Sequence, residues 1–175
     1  MTTYFTTTDT PAGPFTMLTD ADEAVLASGW TTDVPGLMKL AKLPGEARAK
    51  SDPGVPLKAL RSYLDGDLSA IDGVAVRQRG GEFIAHAWDV LRQVPAGGPV
   101  TYTEFAARAG RPAAVRAAAM ACATNAAALF VPCHRVLRLD GTLGGFRWGL
   151  PVKRWLLDHE ASRISLGTYV TSPYV

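Results

Sequence analysis

Cys133 and His134 are adjacent in the sequence, directly after an apolar run that ends at Pro132. A cysteine thiolate is a strong nucleophile, and a histidine can remove the thiol proton during attack. Proline fixes its own φ and favours an extended conformation before it, so we expect Cys133 at a stiff bend after a short buried strand. The next two residues, His134 and Arg135, are cationic or can become so, and this setting beside a dry apolar wall is predicted to favour thiolate. The alternative is a packed structural cysteine, because free cysteines are often buried.

The elements that must position this pair lie in the second half of the chain, which is predicted to be mainly helical. Apolar spacing predicts helices over 82–94, 102–109, 113–124 and 151–161. Thr101 and Glu104 have the spacing of a capping box for the second of these helices. Gly110 separates it from the third, so this pair is typical of a helix-turn-helix.

The last predicted helix carries Glu160 near its C-terminal end. An anion is unfavourable there, because the helix dipole is negative at that end. A partner such as His134 would explain the carboxylate. The neighbouring His159 is predicted to lie at the surface.

Residues 1–76 are predicted to form a small α/β unit that supports the second half. Short strands are predicted at 4–5, 15–19 and 24–27, as a hairpin or meander. A helix is predicted over 56–64, whereas 31–55 is rich in Pro and Gly and is predicted to be mostly loop. An extended segment over 71–76 and a linker over 77–81 would complete the unit.

Composition excludes several classes of protein. The chain has 175 residues and 47% hydrophobic residues, enough for a sizeable core. Its two cysteines, Cys122 and Cys133, are too few for a disulfide framework or a zinc cluster. The N-terminus lacks the pattern of a signal peptide, and no apolar run is long enough to span a bilayer. We therefore expect a cytoplasmic protein.

Positive charge is concentrated around the Cys-His pair. Residues 111–154 contain seven basic residues and one acidic residue, giving +6, although the whole chain carries +2. This distribution favours an anionic partner, of which a phosphate backbone is the obvious one. A basic surface without a partner is the alternative.

The predicted helix over 113–124 is rich in alanine and carries one long polar side chain, Arg116. Reading bases in the major groove requires several side chains that reach base edges. The helix is therefore predicted to bind DNA with little dependence on base order. An alanine-rich core helix is the alternative, and Cys122 is expected to be a small packed residue within it.

These features together resemble the O6-alkylguanine-DNA alkyltransferases, also called methylated-DNA–protein-cysteine methyltransferases. Pro132-Cys-His-Arg-Val136 is similar to the active-site motif of that family. The spacing between the markers agrees without gaps from about Phe83 to Glu160. The markers between those limits are Thr101-Tyr102, Arg116, Asn125, the loop Gly145-Phe-Arg-Trp-Gly149 and Leu156-Leu-Asp-His-Glu160.

The resemblance implies a role for each residue of the reaction centre. Cys133 would be the nucleophile and alkyl acceptor, His134 would take its proton through a water, and Glu160 would orient His134. Asn125 would brace the turn between the second helix of the helix-turn-helix and the active-site segment. Tyr102 would contact the flipped nucleotide and donate a proton to the leaving guanine.

The resemblance also implies how DNA and the damaged base are bound. Arg116 would enter the base stack in place of the extruded guanine, and the helix-turn-helix would lie in the minor groove. The implied DNA contacts are Arg116, Tyr102, Ala117 and Arg135. The implied substrate pocket consists of Val136, Phe146, Arg147 and Trp148.

The implied fold is α/β, with a ribonuclease-H-like domain over 1–76 and a winged-helix-like DNA-binding and alkyl-acceptor domain over 77–175. The implied reaction is one irreversible transfer from O6-alkylguanine, chiefly O6-methylguanine, with O4-methylthymine as a further candidate. The resemblance implies a monomer that needs no cofactor and no metal.

The sequence leaves three other functions open. A cysteine hydrolase also uses Cys and His, but it would turn over repeatedly, and its Cys and His seldom adjoin. A non-catalytic lesion-binding protein would lack the acceptor, so Cys133 argues against it. A helix-turn-helix regulator would need base-reading side chains that Arg116 alone does not supply.

Overall fold

The structure is a computed structural model that describes residues 1–164, so the last residues of the predicted domain over 77–175 lie outside the described part. The chain divides into two compact units. The first consists of Met1–Arg79 and Ala126–Phe130, and the second of Gly80–Asn125 and the chain from Val131 onward. The fold is mixed α/β. Within residues 1–164, no helix has the length and apolarity of a membrane span.

The first unit contains a four-stranded sheet with the order β3-β2-β1-β4. Its strands are β1 (Thr3–Thr10), β2 (Gly13–Thr19), β3 (Val25–Gly29) and β4 (Ala47–Ala49). β1, β2 and β3 are antiparallel, whereas β4 pairs with β1 in parallel. The predicted meander is therefore confirmed. Its first turn requires glycine, because Gly13 has a φ of +117°.

β3 is covered along its outer edge by two other segments of the first unit. Val25 accepts a backbone hydrogen bond from Arg77, and Ser28 donates its backbone N–H to Ala126 at 2.8 Å. The Ser28 hydroxyl also donates to the carbonyl of Ala128 at 2.9 Å. The return of residues 126–130 to this sheet was not predicted.

Two helices of the first unit are α1 (Val34–Leu40) and α2 (Val55–Leu64). The prediction for α2 is confirmed, but the prediction of a loop over 31–55 is wrong at α1 and β4. Asp33 caps α1 by accepting the backbone N–H of Gly36 at 2.9 Å, and proline is tolerated in a first helical turn. The segment predicted to be extended over 71–76 instead contains a 3-10 turn at Ala70–Gly73.

The second unit consists mainly of helices, as predicted. They are α3 (Glu82–Leu91), α4 (Tyr102–Arg108), α5 (Val115–Thr124) and α6 (Leu150–Ile164). α3 packs on α5, and the Trp88 indole donates to the carbonyl of Ala121 at 2.8 Å. Thr101 caps α4 by accepting the N–H of Glu104 at 3.1 Å, which confirms that helix start.

The segment around Cys133 is less regular than predicted. Residues 127–131 are buried, but they do not form the expected strand, and Leu129 has a left-handed φ of +73°. After it, a 3-10 turn at Cys133–Arg135 leads into β6 (Val136–Leu137). β6 pairs in parallel with β5 (Val100–Thr101), so the strand predicted over 136–139 is shorter than expected.

Candidate active site

Cys133 begins a 3-10 turn that Asn125 holds from one side. The Cys133 backbone N–H donates to the carbonyl of Val131 at 2.8 Å. The Asn125 amide donates to that same carbonyl at 2.8 Å, and its side chain is buried. Because Asn125 also forms the C-terminal cap of α5, one residue ends that helix and fixes the turn that carries the thiol.

The Cys133 thiol is almost completely buried, with 8% of the residue exposed. Burial raises its pKa, and the hydrogen bond from Asn125 and the charge of Lys153 offset this only in part. The predicted preference for thiolate is therefore wrong for the resting protein. The thiol keeps its proton at neutral pH, so a nearby base is needed when it reacts.

His134 has the position and the protonation state of a candidate base. Its Nε2 lies 2.9 Å from Oε2 of Glu160 on α6, and both side chains are fully buried. Burial lowers the pKa of His134, against the opposing effect of Glu160. A carboxylate only accepts hydrogen bonds, so Nε2 carries the proton and Nδ1 has a free lone pair. In residues 1–164, Nδ1 has no protein partner.

Arg135 holds the other side of Glu160. Its Nε donates to Oε1 of Glu160 at 3.0 Å, and its Nη2 donates to Oε2 at 2.9 Å. Burial opposes ionisation of Glu160, but His134 and Arg135 together hold the pKa of this carboxyl well below its usual range. Arg135 is 2% exposed. The prediction that Arg135 contacts DNA is therefore wrong, because its guanidinium is buried and already hydrogen-bonded within the protein.

Lys153 is a fully buried cation that the sequence reasoning missed as a site residue. Its Nζ donates to the carbonyls of Val136 at 2.8 Å, Gly145 at 3.3 Å and Leu143. Burial lowers its pKa to about 8, and the charge of the Cys133 thiolate opposes that shift. Its spacing in the sequence could have identified it, because Lys153 lies two helical turns before Glu160 and therefore on the same face of α6.

Tyr102 borders the loop that connects β6 to α6. Gly144 of that loop has a φ of +71°, and a Cβ built there would lie 3.5 Å from the Tyr102 hydroxyl oxygen. Burial raises the pKa of Tyr102 to about 12, so the phenol keeps its proton at neutral pH. A neutral phenol can donate a hydrogen bond or a proton.

The remaining predicted residues lie on α5 and on the loop before α6. Arg116 is exposed on α5, and Ala117 is half-buried. Val136 is fully buried, whereas Phe146 and Trp148 are half-buried. The Arg147 side chain is exposed, and its Nη2 donates to the carbonyl of Ala123 at 2.6 Å. Arg147 thus ties the loop to the C-terminal turn of α5.

Two minor predictions have different outcomes. His159 was expected at the surface, but it is 9% exposed, and its ring stacks on Trp155 with a centroid distance of 4.8 Å. That expectation is wrong, because α6 is covered on more than one face. Cys122 is half-buried, in agreement with a small packed residue.

The arrangement is suited to nucleophilic attack by sulfur. A protonated thiol lies in the same turn as a neutral imidazole that a buried carboxylate orients. A buried ammonium and a neutral phenol complete the cluster. Such a set can remove the thiol proton, stabilise the developing thiolate and protonate a leaving group.

Comparison with known proteins points to one family. Residues 82–162 match the family described as "6-O-methylguanine DNA methyltransferase, DNA binding domain". The chain is 34% identical over 156 residues to the methylated-DNA–protein-cysteine methyltransferase of Shigella flexneri, covering 86% of this chain and 91% of that protein.

Solved structures agree in fold. The crystal structure of the Mycobacterium tuberculosis O6-methylguanine methyltransferase superposes with a TM-score of 0.76 at 28% identity, covering 92% of this chain and 94% of that one. A structure of the M. tuberculosis protein in complex with DNA gives the same TM-score and identity, and it covers 91% and 94% of the two chains.

Proposed function

This chain belongs to the methylated-DNA–protein-cysteine methyltransferase family, and we propose that it repairs DNA by transferring the alkyl group of O6-alkylguanine to its own Cys133. The observation that carries this proposal is the buried His134–Glu160 pair, whose Nε2 and Oε2 atoms lie 2.9 Å apart. His134 directly follows Cys133 in the Pro-Cys-His-Arg sequence. The pair lies within the segment that matches the DNA-binding domain of the family.

The proposed reaction is a direct displacement at an sp³ carbon. The sulfur of Cys133 forms a bond to the alkyl carbon while the bond from that carbon to guanine O6 breaks. His134 takes the thiol proton through a bridging water, and Tyr102 supplies a proton to the leaving guanine. The imidazolium and the phenolate that remain return to their neutral forms by proton exchange through water. The net change is then the transfer of one alkyl group to sulfur and of the thiol's proton equivalent to guanine. The thioether is stable, so each molecule acts once without a cofactor.

Glu160 and Asn125 support this reaction without contacting the substrate. Glu160 holds His134 with Nδ1 free, which leaves the imidazole able to accept a proton. Asn125 fixes the turn that carries Cys133 through the carbonyl of Val131. We assign both as positioning residues.

DNA is the proposed partner, and the finer recognition follows the sequence expectations. α4 and α5 act as a helix-turn-helix in a winged-helix-like domain that binds the minor groove. The exposed Arg116 enters the base stack in place of the extruded nucleotide, and Ala117 lies against the backbone. Base flipping costs a few kcal/mol and brings the buried O6 atom to the thiol.

The proposed pocket for the flipped guanine lies between the active-site turn and the loop before α6. Backbone groups at Val136 and Arg147 hold the guanine edge, while Phe146 and Trp148 line the pocket. O6-methylguanine is the main substrate, and O4-methylthymine is a secondary one.

The first unit is proposed to be a ribonuclease-H-like domain that supports the second. The proposed domain boundary lies between residues 76 and 77. Its sheet and helices carry no cluster that resembles the reaction centre of the second unit. We propose that the protein acts in the cytoplasm as a monomer.

Mass spectrometry tests the proposed function directly. The protein is mixed with a duplex that contains one O6-methylguanine, and the products are digested and analysed. We expect one added methylene on the Cys133 peptide, no more than one equivalent of product, and no transfer by Cys133→Ala, which still binds DNA. Methyl on another peptide, or continued turnover as in a hydrolase, would contradict the proposal.

A further inference from the structure

We propose that Arg135 is a positioning residue for alkyl transfer, whose buried guanidinium locks Glu160 in place and balances its charge so that His134 stays a neutral base. This inference deepens the proposed function and rests on it. It replaces the DNA contact that the sequence predicted for Arg135.

The geometry commits Arg135 to this cluster. Its Nε and Nη2 bond the two oxygens of Glu160 at 3.0 and 2.9 Å, and its Nη1 donates to the carbonyl of Val94 at 2.8 Å. Two parallel bonds fix the plane of a carboxylate as well as its position. The Glu160 oxygen that receives the imidazole N–H is therefore held in one orientation.

That orientation selects the tautomer of His134. Oε2 of Glu160 accepts from both Nη2 of Arg135 and Nε2 of His134, each at 2.9 Å. An imidazole that donates from Nε2 has its lone pair on Nδ1. Without the guanidinium, Glu160 would lose the paired bonds that fix its plane, and the imidazole would be oriented less firmly.

Charge balance is the second part of the argument. The ionisable groups that influence His134 are Glu160 and Lys153 on α6 and Arg135 in its own turn. With the Cys133 thiol protonated, these are two cations and one anion. A further positive charge on the imidazole is therefore disfavoured. If Arg135 were neutral, its positive charge would no longer oppose protonation of His134, and the Glu160 carboxylate would stabilise the imidazolium more strongly.

The variants separate charge from shape. Arg135→Met and Arg135→Gln remove the charge, and glutamine retains an amide that can donate to Glu160. Arg135→Lys retains the charge but cannot form the paired bonds. Arg61→Met removes an exposed arginine of α2 in the first unit and serves as the matched control.

The main measurement is the protonation midpoint of His134, followed by nuclear magnetic resonance of the full chain labelled at histidine. We expect the midpoint to rise by about one pH unit or more in Arg135→Met and Arg135→Gln, and to stay near that of the native protein in Arg135→Lys. Arg61→Met should leave it unchanged.

The second measurement is the pH dependence of the single-turnover rate on methylated duplex. Transfer needs neutral His134, so the acid limb should move to higher pH by the same amount in the neutral variants. Arg135→Lys should lower the rate about tenfold at every pH, because orientation is weakened while charge is kept. A purely structural role would lower all rates equally without moving the limb or the midpoint.

The inference is overturned if a folded neutral variant keeps the native midpoint, or if Arg135→Lys shifts it as far as methionine does. If both neutral variants fail to fold, the test rests on Arg135→Lys. This variant keeps the positive charge, so a shift of the acid limb of its pH–rate profile would contradict the charge-balance argument. The midpoint is measured without substrate. Failure of the proposed function would therefore leave Cys133 unalkylated while the expected shift of His134 is still observed.

Discussion

The two units of the chain bury different kinds of polar group. In the first unit the buried polar residues are Thr3, Thr6, Thr16, Thr19, Asp20 and Ser28. In the second unit they are Asn125, His134, Arg135, Lys153, His159 and Glu160. The first group consists mostly of hydroxyls that can bond backbone carbonyls, as Thr16 does to Thr31 at 2.6 Å. The second group contains two buried cations and a carboxylate, whereas the buried carboxylate of the first group, Asp20, pairs with the exposed Arg77.

This difference suggests that buried polar groups serve stability in the first unit and the reaction in the second. A buried hydroxyl that is hydrogen-bonded costs little, whereas buried ions must recover several kcal/mol of lost hydration. Apolar residues of similar size are often at least as stabilising as a buried ion pair. We therefore propose that the charged cluster of the second unit is kept for the reaction and not for stability. The predictions below test that explanation, beginning with the largest expected effect on transfer.

Among the variants that keep Cys133, Glu160→Gln should have the largest effect, because it removes the anion of the cluster. His134 loses its orienting carboxylate, and Arg135 becomes a buried cation without a counter-ion. We expect the transfer rate to fall by about 10²–10⁴ and the free energy of unfolding to fall by about 3–5 kcal/mol. Single-turnover kinetics and urea denaturation measure the two effects.

The same variant has a pH signature. The folded pKa of Glu160 is depressed, so its stabilisation is present above the ordinary pKa of about 4.3 and is lost as pH falls toward the folded value. We expect the native protein to lose stability below about pH 4 more steeply than Glu160→Gln. Parallel acid-unfolding curves would mean that Glu160 is not ionised in the fold.

Lys153→Met should raise the pKa of the Cys133 thiol further, because the ammonium charge lowers it in the native protein. With a shift of about one pH unit, the thiolate fraction and the transfer rate at neutral pH should fall about tenfold. The rate of Cys133 alkylation by iodoacetamide as a function of pH checks this.

Lys58→Met, an exposed position on α2, is the matched control and should leave that profile unchanged. An unchanged thiol profile in Lys153→Met would show that the ammonium only joins the loop carbonyls. Lys153 would then be a buried charge with a structural role and no role in the reaction.

Lys153 also shows where the sequence stops being informative. The helices and the meander were predictable because apolar periodicity and capping residues are local signals. The adjacency of His134 and Glu160 was expected only from an unfavourable anion at a helix end and from the family resemblance. Burial of Lys153 and Arg135 depends on three-dimensional contacts, such as the bond between Arg135 and Glu160 across 25 residues of sequence.

The errors in the predicted secondary structure have equally specific causes. α1 was predicted as loop because Pro35 and Gly36 are usually helix breakers, although Asp33 caps the helix and a first turn accepts proline. The segment before Cys133 was predicted as strand because its residues are apolar. Burial alone does not define a strand, and the left-handed Leu129 interrupts it.

Arg116→Ala tests the exposed side of the second unit, and a smaller effect is expected. The arginine lies on the solvent side of α5, so its removal should not disturb the buried cluster. We expect transfer from methylated duplex to slow about tenfold, equivalent to about 1.4 kcal/mol. Transfer from the free base O6-methylguanine should change much less. Equal losses on the two substrates would contradict a role in base flipping.

Leu60→Ala in the first unit should affect stability and not chemistry. Leu60 is fully buried on α2, so truncation leaves a cavity that should lower the free energy of unfolding by about 2–5 kcal/mol. At a temperature where the variant is still folded, we expect its transfer rate to match that of the native protein. Urea denaturation and single-turnover kinetics on the same preparation give both values. A slower rate in fully folded Leu60→Ala would mean that the first unit shapes the reaction, and the separation between a stabilising unit and a reactive unit would have to be abandoned.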